Sequence, residues 1–487
     1  MLNALKTEAN YTTTENGALT YASTMDYCLD LFATAGGLRE ASEEKIINMF
    51  VRSYAENADL AMKLLFFIRD IREGLGERRF FRVVLKNLCF EHASSVVKNL
   101  EWIAEFGRFD DFLVLIDTPC EQAAVSFLKA QLDRDMESLR GEGDGSISLL
   151  AKWLPSANTS SRETVRLAKK LIKAFGMSEK EYRKTLSALR GRIDIIEDRL
   201  RRRDYTFDYE KQPSKAMLKY TNAFCTNDRA RYSEYLRKVM NHEATMHTST
   251  LMPYEIVRPF VLGDVSDEEA LALDAIWKAQ EDYAGDQNAL VVIDGSGSMY
   301  NLSRPMPATV AQSLGLYFAE RNTGYFANHF ITFSTRPQLI EIKGRDLAEK
   351  LDYICTFNEV ADTNIQAVFE LILAAAVKNH VPKEQMPEKI YIISDMEFNW
   401  CVTDCDMTNF EYAKRIFEEA GYKLPHVVFW NVACREMQAP VEQHEEGVTL
   451  VSGCSARLFK MVLSDHIDPL DFMLQTLGSE RYEKIVA

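Results

Sequence analysis

Leu290-Val-Val-Ile-Asp-Gly-Ser-Gly-Ser-Met299 decides how the rest of this chain is read. Its first four residues are apolar without interruption, as in a strand buried on both faces. The run ends in an acid, followed by two hydroxyls in the spacing Asp-x-Ser-x-Ser. Gly295 and Gly297 let the backbone turn sharply past the strand. Asp294, Ser296 and Ser298 then gather their oxygens on one loop. Oxygen-only, hard ligands suit Mg²⁺ or another hard divalent cation. The C-terminal end of a parallel strand is also where open α/β sheets bind ligands. A flexible Gly/Ser turn has the same composition, so the loop needs partners before it reads as a site.

Two later segments supply them. Lys389-Ile-Tyr-Ile-Ile-Ser-Asp395 is a second apolar run ending in an acid, followed by Met396-Glu397. Between the two runs, Ala361-Asp-Thr-Asn-Ile365 opens the helical pattern 366–377 and offers the hydroxyl of Thr363. Two acids and three hydroxyls in the order Asp-x-Ser-x-Ser, Thr, Asp resemble the metal-ion-dependent adhesion site of von Willebrand factor A domains. The resemblance implies that Ser296, Ser298 and Thr363 approach the metal and that Asp294 and Asp395 act largely through bound water. The family often has Gly-Gly before its threonine. Here Ala361-Asp362 stands there, which makes Asp362 an alternative ligand to Thr363.

Around these loops the chain alternates between strand and helix patterns. Strands are expected at 289–293, 327–333, 338–342, 390–394, 427–431 and 448–451, with helices at 308–321 and 412–420. Pro337 and the hydroxyl-rich run before it predict a hairpin that adds one antiparallel edge strand. Alternation implies a doubly wound, mostly parallel sheet. The N-terminal part reads as helix after a polar start. Ile47, Phe50, Val51 and Tyr54 fall at helical spacing behind Ser42-Glu-Glu, a cap with an acidic first turn. Leu60, Leu64, Phe67, Ile68 and Ile71 repeat similarly until Gly74-Leu-Gly76. Further helices are expected at 79–91, 93–106, 110–116, 120–140, 162–175 and 179–203. Short connections suggest stacked helix pairs, although no repeat of fixed period is present. The expected architecture is a multidomain α and α/β protein. A HEAT-like helical solenoid or ring occupies 1–285, and a doubly wound von Willebrand factor A-like domain occupies 286–487.

At 487 residues and 47% hydrophobic content, two or more cored domains are expected. No apolar stretch is long enough to span a bilayer and the N-terminus lacks a secretory apolar core, so a cytoplasmic protein is expected. Nine cysteines without framework spacing suit reduced thiols. Cys401 and Cys405 could form a zinc or redox pair, but no second pair or nearby histidine completes a tetrahedral set, and free thiols are expected. His242-Glu243 and His247 miss zincin spacing by one residue. No phosphate loop or nucleophile elbow is present. Metal-assisted hydrolysis is a distant third reading, since no general base stands out.

Net charge is -15, yet 162–238 holds 21 Lys/Arg against 11 Asp/Glu, a local +10 that leaves -25 elsewhere. Such a stripe is either an electrostatic footprint for phosphates or a solvated helix face laced with ion pairs. Arg199, Arg201, Arg202, Arg203, Lys215 and Lys219 are the expected RNA contacts, with Tyr205, Phe207, Tyr209 and Tyr220 placed for stacking. Asp194, Glu197 and Asp198 are the available ion-pair partners. A helical region followed by a von Willebrand A-like domain resembles the Ro autoantigen proteins, which carry the TROVE module. Phe106-Gly-Arg-Phe-Asp-Asp-Phe112 is similar to a segment of related helical modules. Lys152-Trp-Leu-Pro155 and Tyr182-Arg-Lys-Thr-Leu-Ser-Ala-Leu-Arg190 are similar to a Ro-related uncharacterised family. The resemblance implies a ribonucleoprotein scaffold, not an enzyme, that binds single-stranded RNA ends or small structured RNA. A divalent cation, and a protein partner held through it, complete the expectation. The alternative is a metal-dependent protein adaptor without RNA.

Overall fold

The computed structural model describes residues 1, 5, 8–141, 145–263, 265–301, 303–334, 336–357, 363–399, 407–464 and 466–487. The polar start hides a hairpin. Strands β1 (Tyr11–Thr13) and β2 (Leu19–Tyr21) pair antiparallel. Helices α1 (Tyr27–Thr34), α2 (Glu43–Glu56), α3 (Ala58–Arg69) and α4 (Arg78–Glu91) follow. Then come α5 (Ala93–Lys98), α6 (Leu100–Phe106), a 3₁₀ turn at Phe109–Leu115, α7 (Glu121–Arg140) and α8 (Leu150–Trp153). The basic stretch holds α9 (Arg162–Ala174), α10 (Glu179–Ile193), α11 (Ile196–Arg201), α12 (Ser214–Lys219), α13 (Thr221–Asn227) and α14 (Arg229–Met240). Helices α15 (Pro253–Leu262) and α16 (Asp267–Lys278) lead to the sheet. No helix among the described residues is long and apolar enough to cross a membrane.

Local chemistry explains where helices start and stop. The Ser42 hydroxyl accepts from Lys45 N at the head of α2, and Asn57 both ends α2 and caps α3 through Leu60 N. The buried face of α2 is Ile46, Met49, Phe50 and Ser53. It is therefore rotated by one position from the expected 47, 50, 51, 54 face, and Val51 is exposed. The expected helix at 93–106 breaks at Asn99, whose Nδ2 donates to the Ser95 carbonyl at 2.7 Å and the Val486 carbonyl at 2.6 Å. The expected helix at 179–203 breaks at Asp194, which adopts φ 56°. The Gly-Arg-Phe-Asp-Asp segment is a buried ionic knot. Asp111 accepts from Arg69 Nε at 2.9 Å, Arg82 Nε at 2.5 Å and Arg108 N at 3.0 Å.

The C-terminal part is a six-stranded sheet with helices on both faces. It contains β3 (Ala289–Asp294), α17 (Pro307–Arg321), β4 (His329–Phe333), β5 (Leu339–Glu341) and α18 (Leu347–Cys355). Next are α19 (Ile365–Asn379), β6 (Lys389–Ser394), α20 (Asn409–Glu419), β7 (His426–Asn431) and β8 (Val448–Ser452). Helices α21 (Arg457–Met461) and α22 (Pro469–Leu477) close the series. Strand order is β5-β4-β3-β6-β7-β8, parallel except for the expected antiparallel edge strand β5. Leu290, Val292, Ile390, Ile392, Val427 and Phe429 pack against α19 and α20. Val291, Ile293, Tyr391, Ile393, Val428 and Trp430 face the other way, into a core that includes α17 and runs on through the helical region.

Both ends of the described chain cross between these regions. Tyr21 and Ala439 exchange backbone hydrogen bonds at 3.0 and 2.8 Å. The end of α1 lies on the end of β8, where Gly36 N donates to Ser452 Oγ at 3.0 Å and Ser452 Oγ donates to the Phe32 carbonyl at 3.0 Å. In return, Arg481 and Tyr482 bind the buried carboxylate of Asp70, at the end of α3. One continuous apolar core accordingly runs from Cys28 to Ile485, across the expected boundary at 285/286.

Two stability predictions follow from this packing. A Cβ on Gly36 would lie 2.4 Å from Gly453 Cα, a backbone atom that cannot step aside. Gly36→Ala should cost about 1–3 kcal/mol or more by overpacking, read as a lower urea midpoint; an unchanged midpoint would disprove the close approach. The second concerns His426 on β7. Its Nε2 meets Thr449 Oγ1 at 2.6 Å, and Thr449 in turn meets His466. Burial, with His466, Lys389 and Lys423 adding positive charge, drives its pKa down from 6.5 to about 3. The unfolded chain takes the proton first. Stability from the neutral ring is thus full above pH 6.5 and drains away as pH falls towards 3. His426→Gln should lose less stability than the parent between pH 7 and pH 4. Equal losses in urea titrations would refute the assignment.

Candidate metal centre

Backbone pairing sets the site before any side chain does. Register matches Ile293 of β3 with Ile393 of β6, so Asp294 and Ser394 leave neighbouring strand ends together. Ser394 Oγ donates to Asp294 Oδ2 at 2.5 Å, and Ser296 N donates to Asp294 Oδ1 at 2.8 Å. The second bond folds the Asp-x-Ser turn back on itself. A 3₁₀ turn from Gly297 to Tyr300 then places Ser298 Oγ 3.1 Å from Ser296 Oγ. Ser298 also lies close enough to the carboxylate of Asp395, the residue after β6, to favour its charged form. Asp294, Ser296, Ser298 and Asp395 are thereby brought into one cluster.

Thr363 is buried, and its carbonyl accepts from Asn399 N at 3.0 Å in the loop that follows Asp395. Its hydroxyl makes no hydrogen bond to the other four side chains. Asp362, the alternative ligand, lies outside the described residues, as do Cys401 and Cys405. None of the described cysteines is in a disulfide. His242 has φ 59° and residues 241–250 are not helical, so no zincin helix forms there.

The cluster is short of positive charge. Asp294 and Asp395 are almost fully buried. Burial drives the Asp294 carboxyl above its usual range. Burial and the facing Asp294 push Asp395 up to about 6. Among the described residues the cation paired with the cluster is Arg435, whose Nη1 stands 3.5 Å from Asp395 Oδ2 while its Nη2 pairs with Glu15. Glu397 adds a third buried acid, pushed up to about 7, chiefly by burial; Oε1 has no partner among the described residues and Oε2 accepts from Glu15 N at 2.9 Å. Two buried acids and two hydroxyls, under-neutralised by protein, fit a hard divalent cation. Such a cation would supply a positive centre able to hold an acidic ligand group.

Several of these residues escape a reading of motifs. Ser394 follows from strand register once β3 and β6 are paired. Nothing around Arg435 signals its role. The hairpin that roofs the site comes from the polar start: Thr14 Oγ1 donates to the Phe398 carbonyl at 2.6 Å, and Asn16 Nδ2 donates to the Glu397 carbonyl at 2.6 Å. The acids therefore sit under cover rather than at an open sheet edge.

The expected RNA contacts are mostly engaged. Arg199 pairs with Asp194 and Asp204, Arg201 and Arg202 with Asp198, and Lys215 with Glu255. Lys219 lies over the Tyr220 ring. Arg203 is exposed and makes no ion pair among the described residues. Phe207 and Tyr209 belong to a buried aromatic cluster with Phe224 and Tyr232, which removes them as stacking platforms. Lys169, Lys173, Lys180, Arg183, Lys184 and Arg192 on α9 and α10 are exposed and free of ion pairs among the described residues.

Asp294→Asn should raise stability in chelator, because it removes one of two facing buried charges, and should abolish the gain in melting temperature on adding Mg²⁺ or Mn²⁺. Thermal melts with and without cation read both effects. A variant that keeps its cation-dependent gain would sink the site.

The Uncharacterized protein L728 of Acanthamoeba polyphaga mimivirus is 28% identical over 508 residues, spanning 96% of this chain and 87% of its own. The crystal structure of the Deinococcus radiodurans RO (RSR) protein aligns over 94% of this chain and 100% of its own, with a TM-score of 0.47 and 12% identity. Residues 288–480 match the domain of unknown function DUF7788. Residues 14–126 and 121–289 match the domain of unknown function DUF2828, and the chain belongs to that family.

Proposed function

We propose that this chain is a binding scaffold, not an enzyme, which holds one divalent cation, Mg²⁺ by ligand chemistry, through Asp294, Ser296, Ser298, Thr363 and Asp395. The observation that carries this reading is the pair of buried acids at adjacent strand ends, closed by two serine hydroxyls and left short of positive charge. An acidic side chain from a protein partner completes the ion's shell in this reading, as hard cations take oxygen ligands. Calorimetric titration with Mg²⁺ and Mn²⁺ tests it. One site per chain, lost in Asp294→Ala, is expected.

A specific observation favours RNA as a second ligand. The stretch 162–238 carries a local +10 in a chain of -15, and its ion-pair-free cations cluster on α9 and α10. Neighbouring helices presenting Lys169, Lys173, Arg183 and Lys184 form the kind of surface that tracks a phosphate backbone. Stacked helices of this region as a solenoid that cradles the strand belong to the same reading.

Affinity for single-stranded RNA should fall with salt at a slope of about -0.7 per phosphate neutralised. Replacing Lys169, Lys173, Arg183 and Lys184 with Ala should flatten that slope and weaken all sequences alike. Replacing Arg201, Arg202 and Arg203 should do less, since two of them are held by Asp198. Filter binding over a salt series reads this. Binding no tighter than that of an unrelated acidic protein leaves the metal-dependent protein adaptor as the function.

A further inference from the structure

A cavity of about 360 Å³ opens beside the metal centre, between the α1–α2 loop, the segment after the Asp-x-Ser-x-Ser turn and the loop after β7. That volume falls in the range that small-molecule sites occupy, roughly 300–1,000 Å³. Its lining is cationic: Arg39, Lys45, Arg304 and Arg435, against the single acid Glu40. Four cations around one cavity run against the composition of a chain with net charge -15.

Two of these cations, Arg39 and Arg435, are paired within the protein, with Glu77 and with Glu15 and Asp395, while Lys45 and Arg304 have no carboxylate partner among the described residues. Lys45 Nζ donates to the Arg435 carbonyl at 2.7 Å, a neutral acceptor. Arg304 is exposed and its side chain has no ion-pair partner among the described residues; only its backbone N reaches Glu40, at 3.4 Å. Arg39 turns Nε and Nη2 to Glu77 and lies over the Tyr254 ring, and its Nη1 is buried without a partner among the described residues. An unpaired buried guanidinium nitrogen is costly to leave unmade. Arg435 joins the two sites, since it lines the cavity and its guanidinium also reaches Asp395. Asn301 and Ser303 add polar groups on the same wall.

We propose that this cavity binds a terminal phosphate monoester of a nucleotide or of an RNA end. A compact anion with three equivalent acceptor oxygens suits several converging cations, and guanidinium groups match it in bidentate fashion. Roughly 360 Å³ leaves room for more than the phosphate alone, which favours a nucleoside-sized group behind it. The assignment rests on the lining residues and stands apart from the surface on α9 and α10.

The test uses the full chain in EDTA, so that an anion bound to metal does not contribute. Adenosine monophosphate and inorganic phosphate are titrated calorimetrically, with adenosine as control. Binding of the monophosphate at one site per chain is expected, with adenosine silent. Arg304→Ala, at an exposed position, and Lys45→Met should each weaken binding about tenfold or more, as loss of a charge-assisted hydrogen bond does. Retained circular dichroism and melting temperature show that each variant is folded, and Arg304→Glu should abolish binding outright. A 5′-phosphorylated and a 5′-hydroxyl oligonucleotide separate the two sources. An advantage of the phosphorylated strand that Arg304→Ala erases assigns the site to RNA ends, and binding of the mononucleotide alone assigns it to free nucleotides. No binding of any phosphate monoester, or binding indifferent to both Arg304→Ala and Lys45→Met, overturns the proposal whatever the salt series with RNA shows.

Discussion

A parallel sheet buried on both faces needs cover on both, and this molecule obtains it from distant parts of the chain. Helices α19 and α20 cover the face of Leu290, Val292, Ile390 and Ile392 from within the C-terminal part. The opposite face carries Val291, Ile293, Tyr391 and Trp430, and its core is continuous with α1, α15 and the helical region. The helices are therefore part of the sheet's hydrophobic cover rather than a separate bead on a string. Gly36 against Gly453 marks how close that docking is. The match of two family models on either side of residue 288 is a division of sequence, while the apolar core is shared.

The same docking shapes the electrostatics of the strand ends. The hairpin at 11–21 roofs the loop after β6 and keeps water from Asp395 and Glu397. Less water raises the cost of charge on each acid and strengthens whatever cation relieves it. Arg435 supplies partial relief while bridging to Glu15 on that hairpin. The site is thus held by residues from the start, middle and end regions of the chain.

Much of this was legible in the sequence, for reasons that are local. Continuous apolar runs ending in acids mark β3 and β6, and Pro337 marks the antiparallel edge. Asp294, Ser296, Ser298 and Asp395 meet because strand ends in a parallel sheet must lie side by side. What periodicity could not settle was phase. The faces 46, 49, 50, 53 and 47, 50, 51, 54 share Phe50 and differ by one residue's rotation, which only tertiary packing decides. The β1–β2 hairpin was invisible because its strands are three residues long and are held in place by bridges to Asn399 and Ala439, far away in sequence. The basic stripe was counted correctly, but counting cannot tell Arg201, tied to Asp198, from Lys169, which is free. Arg435 and the cavity beside it arise from loops far apart in sequence, with no spacing to betray them.

Asp70 shows what such interlocking asks of a chain made in one direction. Its carboxylate is sealed in the helical region, yet its guanidinium and phenol partners stand 411 and 412 residues later. Asn99 waits similarly for Val486. Translation at roughly 5–20 residues per second separates these partners by tens of seconds. Throughout that interval the helical region carries an unmatched acid and an open apolar seam where Tyr482 and Ile485 belong. Vectorial synthesis thus delays completion of the helical region until residues more than 400 positions later arrive, and makes the nascent chain a natural client for chaperones that shield apolar surface.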